Sequence, residues 1–464
     1  MRTNKKYRVV EINENQTKDK ISDDIIWILT FVISLIHGLM CISQGILSSC
    51  VTEIKKELHL SDEEFGMFGT ISGFGSLIGS LIFTLIIERV SHKYLICTML
   101  LINSVSHFAF FFKFNYTLLL FSRLISGYAS VFCYIYFPMW VDEFGIKDWL
   151  NFMQTIVQVS NTIGHILGYF IYYIIGSSHW KYGFLTETFT VSCLVLVMIF
   201  IPETYYDKVE VEYESTYNII NNDEEMKLKN DNNDSNIRVK KVKNSVMKDI
   251  ICNLPYMMIS LYRANRLFIF VAIDFWFSDY LQSVLSIHIP SEIFFSYSFT
   301  IVLSPLLGLI LGGIISNKIG GPKGKHSFKA MFLLQIGSVF FGFLASCFQN
   351  INYFTIFMSF YMLLNTASGL ISISASYAVV PKNLIGTATG VYSIIVNLFG
   401  FLPAPYAYAF LKTIFGSGRY IMIFFMVYGL IGGMDLILAD IYMKRQKIFI
   451  HKEELTKNDK GMDN

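Results

Sequence analysis

Twelve stretches of this chain are each about 20 residues long, apolar and almost free of charge, which confines it to a bilayer. Backbone polar groups in hydrocarbon must be satisfied within the segment, so runs of this length cross as α-helices. In the first half they cover roughly 25–47, 65–87, 94–112, 116–137, 152–175 and 184–201, and in the second roughly 267–285, 293–316, 329–347, 353–379, 385–411 and 419–443. Composition agrees: 16% of the 464 residues are charged and 53% hydrophobic, against about 25% charged in a soluble domain. The first run, from near Ile25, is too long for a secretory h-region and lacks a small-residue cleavage site, so it reads as a retained span.

The predicted fold class is an all-α membrane protein with twelve transmembrane helices in two six-helix bundles. A polar tail (1–24) precedes the first bundle (25–202). A linker rich in Asn, Asp, Glu and Lys (203–249) cannot bury a core and reads as disordered, with 250–266 expected along the bilayer surface. The second bundle spans 267–443, and a tail (444–464) follows. Of the 37 Lys and Arg, 30 fall on the side of both termini and 6 on the other, and Arg123 sits inside a span. The positive-inside rule then predicts both termini in the cytoplasm, at the plasma membrane or an internal, vacuole- or lysosome-like one. Trp27, Trp140, Trp149 and Trp180 fall at span ends, where interface aromatics are expected. The seven cysteines form no C-x-x-C pair, and no metal or cofactor motif is present.

Glycines recur in the two halves. Span five has Gly164 and Gly168, span eleven Gly386 and Gly390, both as G-x-x-x-G, which lets helix backbones approach closely. Span two carries Gly66, Gly69, Gly73, Gly75 and Gly79 against Gly308, Gly312 and Gly313 in span eight, and span four reads Arg123-Leu-Ile-Ser-Gly127. Duplicated halves around a central site are a transporter architecture.

The loop between spans two and three reads Thr84-Leu-Ile-Ile-Glu88-Arg89-Val-Ser-His-Lys93, with a second-half copy at Gly313-Ile-Ile-Ser-Asn317-Lys318-Ile-Gly320-Gly321. These runs resemble the signature G-x-L-x-D-R-x-G-R-R/K of the major facilitator superfamily over roughly residues 25–445, with Glu88 for its Asp, Asn317 for its second acid, and Thr84 and Ser91 for its glycines. The resemblance implies a cytoplasmic gate of Glu88, Arg89, Lys93, Asn317 and Lys318, with Arg89 pairing to Asp142 or Glu143. Arg123 and Gly127 resemble the family's R-x-x-x-G motif in span four. Pro202-Glu203-Thr204 is similar to the ending of sugar porters, but their Gln-Gln pair in span seven is replaced by Asp279-Tyr-Leu-Gln282. The run Phe137-Pro-Met-Trp-Val-Asp-Glu143 is similar to Spinster-type lysolipid carriers, which carry an acid where this chain has Ser130.

The resemblance also implies a cavity lined by spans one, four, seven and ten. Its candidate substrate or coupling residues are His37, Gln44, Arg123, Tyr136, Asp274, Trp276, Asn365 and Thr366. An ionisable side chain inside a span costs about 2.5–3.5 kcal/mol on insertion scales, so it needs a partner or a watery cavity. Arg123 suits an anionic group or a titrating carboxylate, and Asp274 suits proton coupling. His107 and His165 read as structural. The expected function is secondary active transport of a small organic solute. A transporter-like sensor or scaffold and a Spinster-type lysolipid carrier are the alternatives. A membrane transferase lacks its nucleotide and metal motifs, so no enzyme is expected. The expected partners are a small-molecule substrate, H+ as a candidate coupling ion and the lipid bilayer, with no nucleic acid and no cofactor. A monomer is expected.

Overall fold

The computed structural model describes residues 22–86, 90–112, 115–206, 250–319, 327–380 and 385–460, and among these every regular element is helical. Span one is broken at Met40 and Cys41 into Asp23–Leu39 and Ile42–Ser49. Spans two to six are Asp62–Ile86, His92–Phe111, Tyr116–Phe144, Leu150–Ile175 and Trp180–Phe200. Span seven is Leu254–Ser283. Span eight runs through Pro290–Tyr297, a wide π turn at Ser298–Leu303, and Ser304–Lys318. Spans nine and ten are Ser327–Cys347 and Ile351–Ala378. Span eleven joins Ile385–Val396 to Ala404–Phe415 through a π turn at Asn397–Phe401, and span twelve is Gly418–Lys460. Both π turns lead into prolines (Pro305, and Pro403 with Pro405), whose missing N–H breaks the regular ladder. Eleven helices are apolar enough by themselves to cross a membrane among the described residues. Leu150–Ile175 is equally long but carries Asn151, Gln154, Gln158, Asn161 and His165. Of these, Gln154, Asn161 and His165 are half-buried.

Two local expectations are revised. The helix of span seven starts at Leu254, not near 267, and Tyr256, Ile259, Tyr262 and Arg266 are buried in it. Most of 250–266 therefore lies inside the bundle instead of along its surface. Trp140 and Trp180 are buried as well: Trp140 Nε1 donates to Tyr205 O (2.7 Å) and Trp180 Nε1 to Glu57 Oε2 (2.5 Å). Trp27 and Trp149 form an edge-on pair at 6.1 Å, with Trp149 exposed.

The packing repeats between halves. Span two lies on span four, three on six and one on five, and correspondingly eight lies on ten, nine on twelve and seven on eleven. Small residues set the closest approaches. A Cβ at Gly164 would stand 1.9 Å from Gly38 O, and one at Gly168 2.5 Å from Ile42 O. In span eleven the equivalent contact with span seven falls at Gly400, whose Cβ would stand 2.9 Å from Ala264 O. Gly390 is exposed and meets nothing within 4 Å, so it is not a packing glycine here, and the surroundings of Gly386 lie outside the described residues. Gly164→Ala is therefore expected to cost about 1–3 kcal/mol through overpacking, while Gly390→Ala leaves stability unchanged. Thermal unfolding of the two purified variants checks this pair.

The apolar core is divided unequally by depth. The face where span one begins and span twelve emerges is here the termini face, and the opposite one the far face. One large buried cluster joins both bundles, and it occupies the far half, with Phe65, Phe68, Tyr169, Trp276, Tyr297 and Tyr408 among its members. In the termini half the clusters are separate: one within the first bundle around Ile33, Phe132 and Phe137, and two within the second around Tyr256 and Tyr262.

Candidate functional site

The two bundles meet at the far face in a cluster of four charges. Lys55 comes from the short helix Val51–Leu58 after span one, Asp62 from the start of span two, Asp279 from span seven and Lys412 from span eleven. Lys55 Nζ pairs with Asp62 and lies 3.3 Å from Asp279 Oδ1. Lys412 Nζ lies 2.7 Å from Asp279 Oδ2 and 3.3 Å from Asp62 Oδ2. Two lysines and two aspartates thus alternate across the seam. Burial works against the Lys55 charge, but Asp279 and then Asp62 outweigh it and hold the ammonium above its usual range. Both ammonium groups stand 5.7 Å over the ring of Trp276.

Trp276 is itself part of this seam. It is fully buried, donates Nε1–H to Pro405 O (2.9 Å), stacks on Tyr408 at 5.2 Å and meets Phe65 of span two edge-on at 5.6 Å. Pro405 is clasped from the other bundle, since Cβ atoms at Gly66 and Gly69 would stand 2.9 Å from Pro405 O and 2.6 Å from its Cγ. On the opposite flank Tyr169 of span five stacks on Tyr297 of span eight at 3.6 Å, and Phe170 packs near Phe294 at 5.8 Å.

Asp274 lies one layer deeper, about 14 Å inside span seven at 1.5 Å per residue. Its Oδ1 accepts from Tyr297 OH (2.7 Å), and its Oδ2 stands 3.6 Å from His165 Nδ1 of span five. Tyr297 and Asp274 belong to one bundle and His165 to the other, so this pair also crosses the seam. The carboxylate side chain keeps 14% exposure and the imidazole 20%, so both remain reachable. The sequence pattern singled out Asp274 but gave His165 a merely structural role.

Other candidates are placed within single bundles. Arg123 has no exposed surface; the Glu187 carboxylate and Tyr134 bear on its charge. Glu187 also lies 3.3 Å from His107 Nδ1, and His107 Nε2 contacts Ser126 Oγ at 2.7 Å. His37 is buried against Val157 O (2.8 Å) and Tyr134. Tyr136 donates to Tyr206 O (2.9 Å) and so fixes the segment after span six. Thr366 packs on Gly308 of span eight. Gln44 is the one half-buried side chain of Ile42–Ser49. Asn365 accepts from Arg266 Nε at 2.7 Å, and Arg266 is a residue the apolar pattern had assigned outside the membrane. A groove of about 770 Å³ lies between spans eight and ten, lined by Phe295, Phe299, Leu307 and Phe360 with Glu292 and Asn352. Its exposed aromatics face outward, away from the seam.

The sequence profile of the Major Facilitator Superfamily matches residues 33–405. The chain belongs to that superfamily. It is accordingly an integral membrane transporter. Curated relatives align over about a third of their length. Sugar transporter ERD6-like 16 of Arabidopsis thaliana is 30% identical over 156 residues, covering 33% of this chain and 31% of the relative. Probable polyol transporter 3 of the same plant is 24% identical over 156 residues, covering 34% and 30%. Among solved structures, a bacterial homolog of the human lysosomal transporter Spinster, inward-facing and occupied, superposes with a TM-score of 0.71 at 12% identity. It covers 90% of this chain and 97% of that one. A D-xylose–proton symporter gives 0.65 at 13% identity, covering 89% and 97%.

The superfamily's signature loop lies at the termini face of this facilitator. Glu88 and Arg89 fall outside the described residues. Lys93 donates to Ile201 O (2.7 Å) and Asp142 accepts from Gln154 Nε2 (2.8 Å), both within the first bundle. Glu143 lies half-buried on the same turn as Asp142, and Asn317 and Lys318 are exposed at the end of span eight. Lys93 and Asp142 thus bond within their own bundle, in contrast to the quartet at the far face.

Proposed function

We propose that this protein is a secondary active transporter moving a small organic solute by alternating access, with both termini in the cytoplasm. The observation that carries the reading is the uneven seam. The two bundles share a core, stacked aromatics and a four-charge latch at the far face, while in the termini half each bundle keeps its own core. That arrangement suits one end state of a rocking cycle, open toward the termini. The excess of Lys and Arg on the termini side supports the orientation. Arg263 and Arg266 lie inside span seven, which removes only two of the 30 residues counted there. The Asp274–His165 pair supports proton coupling: it crosses the seam and stays reachable, so a change of protonation there alters what holds the bundles together.

The test is flux through the purified full chain in proteoliposomes, with monosaccharides, polyols and nucleosides offered under a proton or sodium gradient. Uptake above that of empty vesicles supports the reading. Failure of every solute under both gradients would overturn it. A lysolipid carrier is the second reading, and the outward groove between spans eight and ten supports it. Labelled lysophosphatidylcholine in the same assay separates the two.

A further inference from the structure

Span seven brings two arginines to the middle of the second bundle without an acid to balance them. Arg266 is 2% exposed and lies about halfway along Leu254–Ser283, at the depth of Asn365 on span ten. Its Nε is committed to Asn365 and its guanidinium sits 5.4 Å from the Tyr262 ring, yet the buried Nη1 has no hydrogen-bond partner. Arg263, one helical turn nearer the termini face, is half-buried. Both reach the same point on span ten: a Cβ at Gly369 would stand 2.1 Å from Arg263 Nη1 and 2.7 Å from Arg266 Nη1. The two nitrogens are therefore within about 5 Å of each other, where like charges repel.

The other groups acting on the Arg266 charge are the tyrosines Tyr262, Tyr361 and Tyr392. Among the described residues no carboxylate lies within ion-pair distance of either guanidinium. A buried charge left uncompensated is costly, and two adjacent ones of the same sign more so. Two guanidinium groups side by side present several N–H donors in a fixed planar array, which fits the oxygens of a carboxylate or phosphate. Gly369 lets both guanidinium groups lie directly against the backbone of span ten, where any side chain would collide with them.

We propose that Arg263 and Arg266 form an anion subsite against Gly369, and that the cargo carries a carboxylate or phosphate group held there. The proposal rests on the transporter reading and names its substrate class. The binding group is a small oxyanion, whether on a soluble solute or on a lipid headgroup. Arg123 is enclosed within the first bundle near Glu187, so the anion-reading role passes to the span-seven pair.

The experiment uses the full chain in nanodiscs of phosphatidylcholine, with inorganic phosphate and succinate as probes and glucose as the neutral control, read by calorimetry. The expected result is that one or both anions bind, and that Arg263→Gln and Arg266→Lys each weaken binding at least about tenfold, the Lys variant because it lacks the planar fork. Arg263 is half-buried, so its variant tests the site even if the Arg266 variant misfolds. Nanodiscs containing phosphatidylglycerol distinguish the source. Anionic lipid that stabilises the wild type but not Arg263→Gln, with no response to phosphate or succinate, assigns the subsite to a headgroup. Equal responses of wild type and both variants to all three anions overturn the proposal. Anion binding that survives unchanged in Arg263→Gln beside intact sugar flux removes this subsite and leaves the transporter reading standing. Absence of flux for every solute removes the transporter reading whatever the anions do.

Discussion

Asp279→Asn will release the far-face seam. In the wild type Asp279 stands between Lys55 and Lys412, at 3.3 and 2.7 Å, and both lysines hang over one Trp276 ring. The amide keeps the size and loses the charge, so two ammonium groups are left with Asp62 as their one remaining acid in the quartet. Removing one partner of a fully buried pair costs about 3–5 kcal/mol, and the partial exposure of the lysines lowers that to about 2 kcal/mol. The cost falls on the closed far face, because the quartet exists only when spans two and seven are together there. A change of that size moves the ratio of far-closed to far-open molecules roughly 30-fold. Spin labels at Lys56 and Thr413, one exposed position on each side of the seam, read the ratio directly. The expected result is a longer distance in Asp279→Asn, and a return toward the wild-type distance when Lys412→Gln is added to restore the balance. An unchanged distance in the single variant would show that the aromatics close the face without help from the charges.

Asp274→Asn is expected to uncouple the cycle. The carboxylate binds Tyr297 OH within its own bundle and faces His165 across the seam. In the proposed coupling, protonation of the Asp274 carboxylate removes its charge attraction to span five, and the asparagine fixes the side chain in a neutral form at every pH. Accumulation driven by a proton gradient should fall to the level of empty vesicles, while exchange of labelled for unlabelled solute at equal concentrations continues. His165→Gln should give the same division of effects if the pair acts as a unit. Uptake by Asp274→Asn with an unaltered pH profile would remove the pair from the coupling mechanism.

The spans were legible because hydrocarbon imposes one rule on all of them, and the local start signals were legible because they span three residues. Ser61 and Glu64, spaced S-x-x-E at the start of span two, make a reciprocal cap, with Ser61 N donating to Glu64 Oε2 (2.8 Å) and Glu64 N donating to Ser61 Oγ (3.2 Å). Span seven was misread at its start because Tyr256, Tyr262, Arg263, Asn265 and Arg266 dilute its apolar run, and polarity satisfied by spans ten, eleven and twelve looks the same in sequence as polarity satisfied by water. The far-face quartet was hidden for a different reason. Lys55 and Asp279 are 224 positions apart, and each of the four charges alone reads as an ordinary residue at a span end. Pairing across a duplicated fold leaves no mark at fixed spacing. Gly390 shows the opposite failure: a motif with the right spacing for close packing lies where nothing packs.

The division of the core by depth also sets the energetics of the empty carrier. Tyr169 on Tyr297, Phe65 on Trp276 and the clasp of Gly66 and Gly69 on Pro405 are all made in the far half, and all must come apart before that face can open. On the proposed alternating-access reading, the empty molecule then has a preferred resting direction, and the slow leg of its turnover is expected to be the one that wets this aromatic seam. On the same reading, solute binding must supply the difference from within the membrane, and the idle position of the carrier faces the termini.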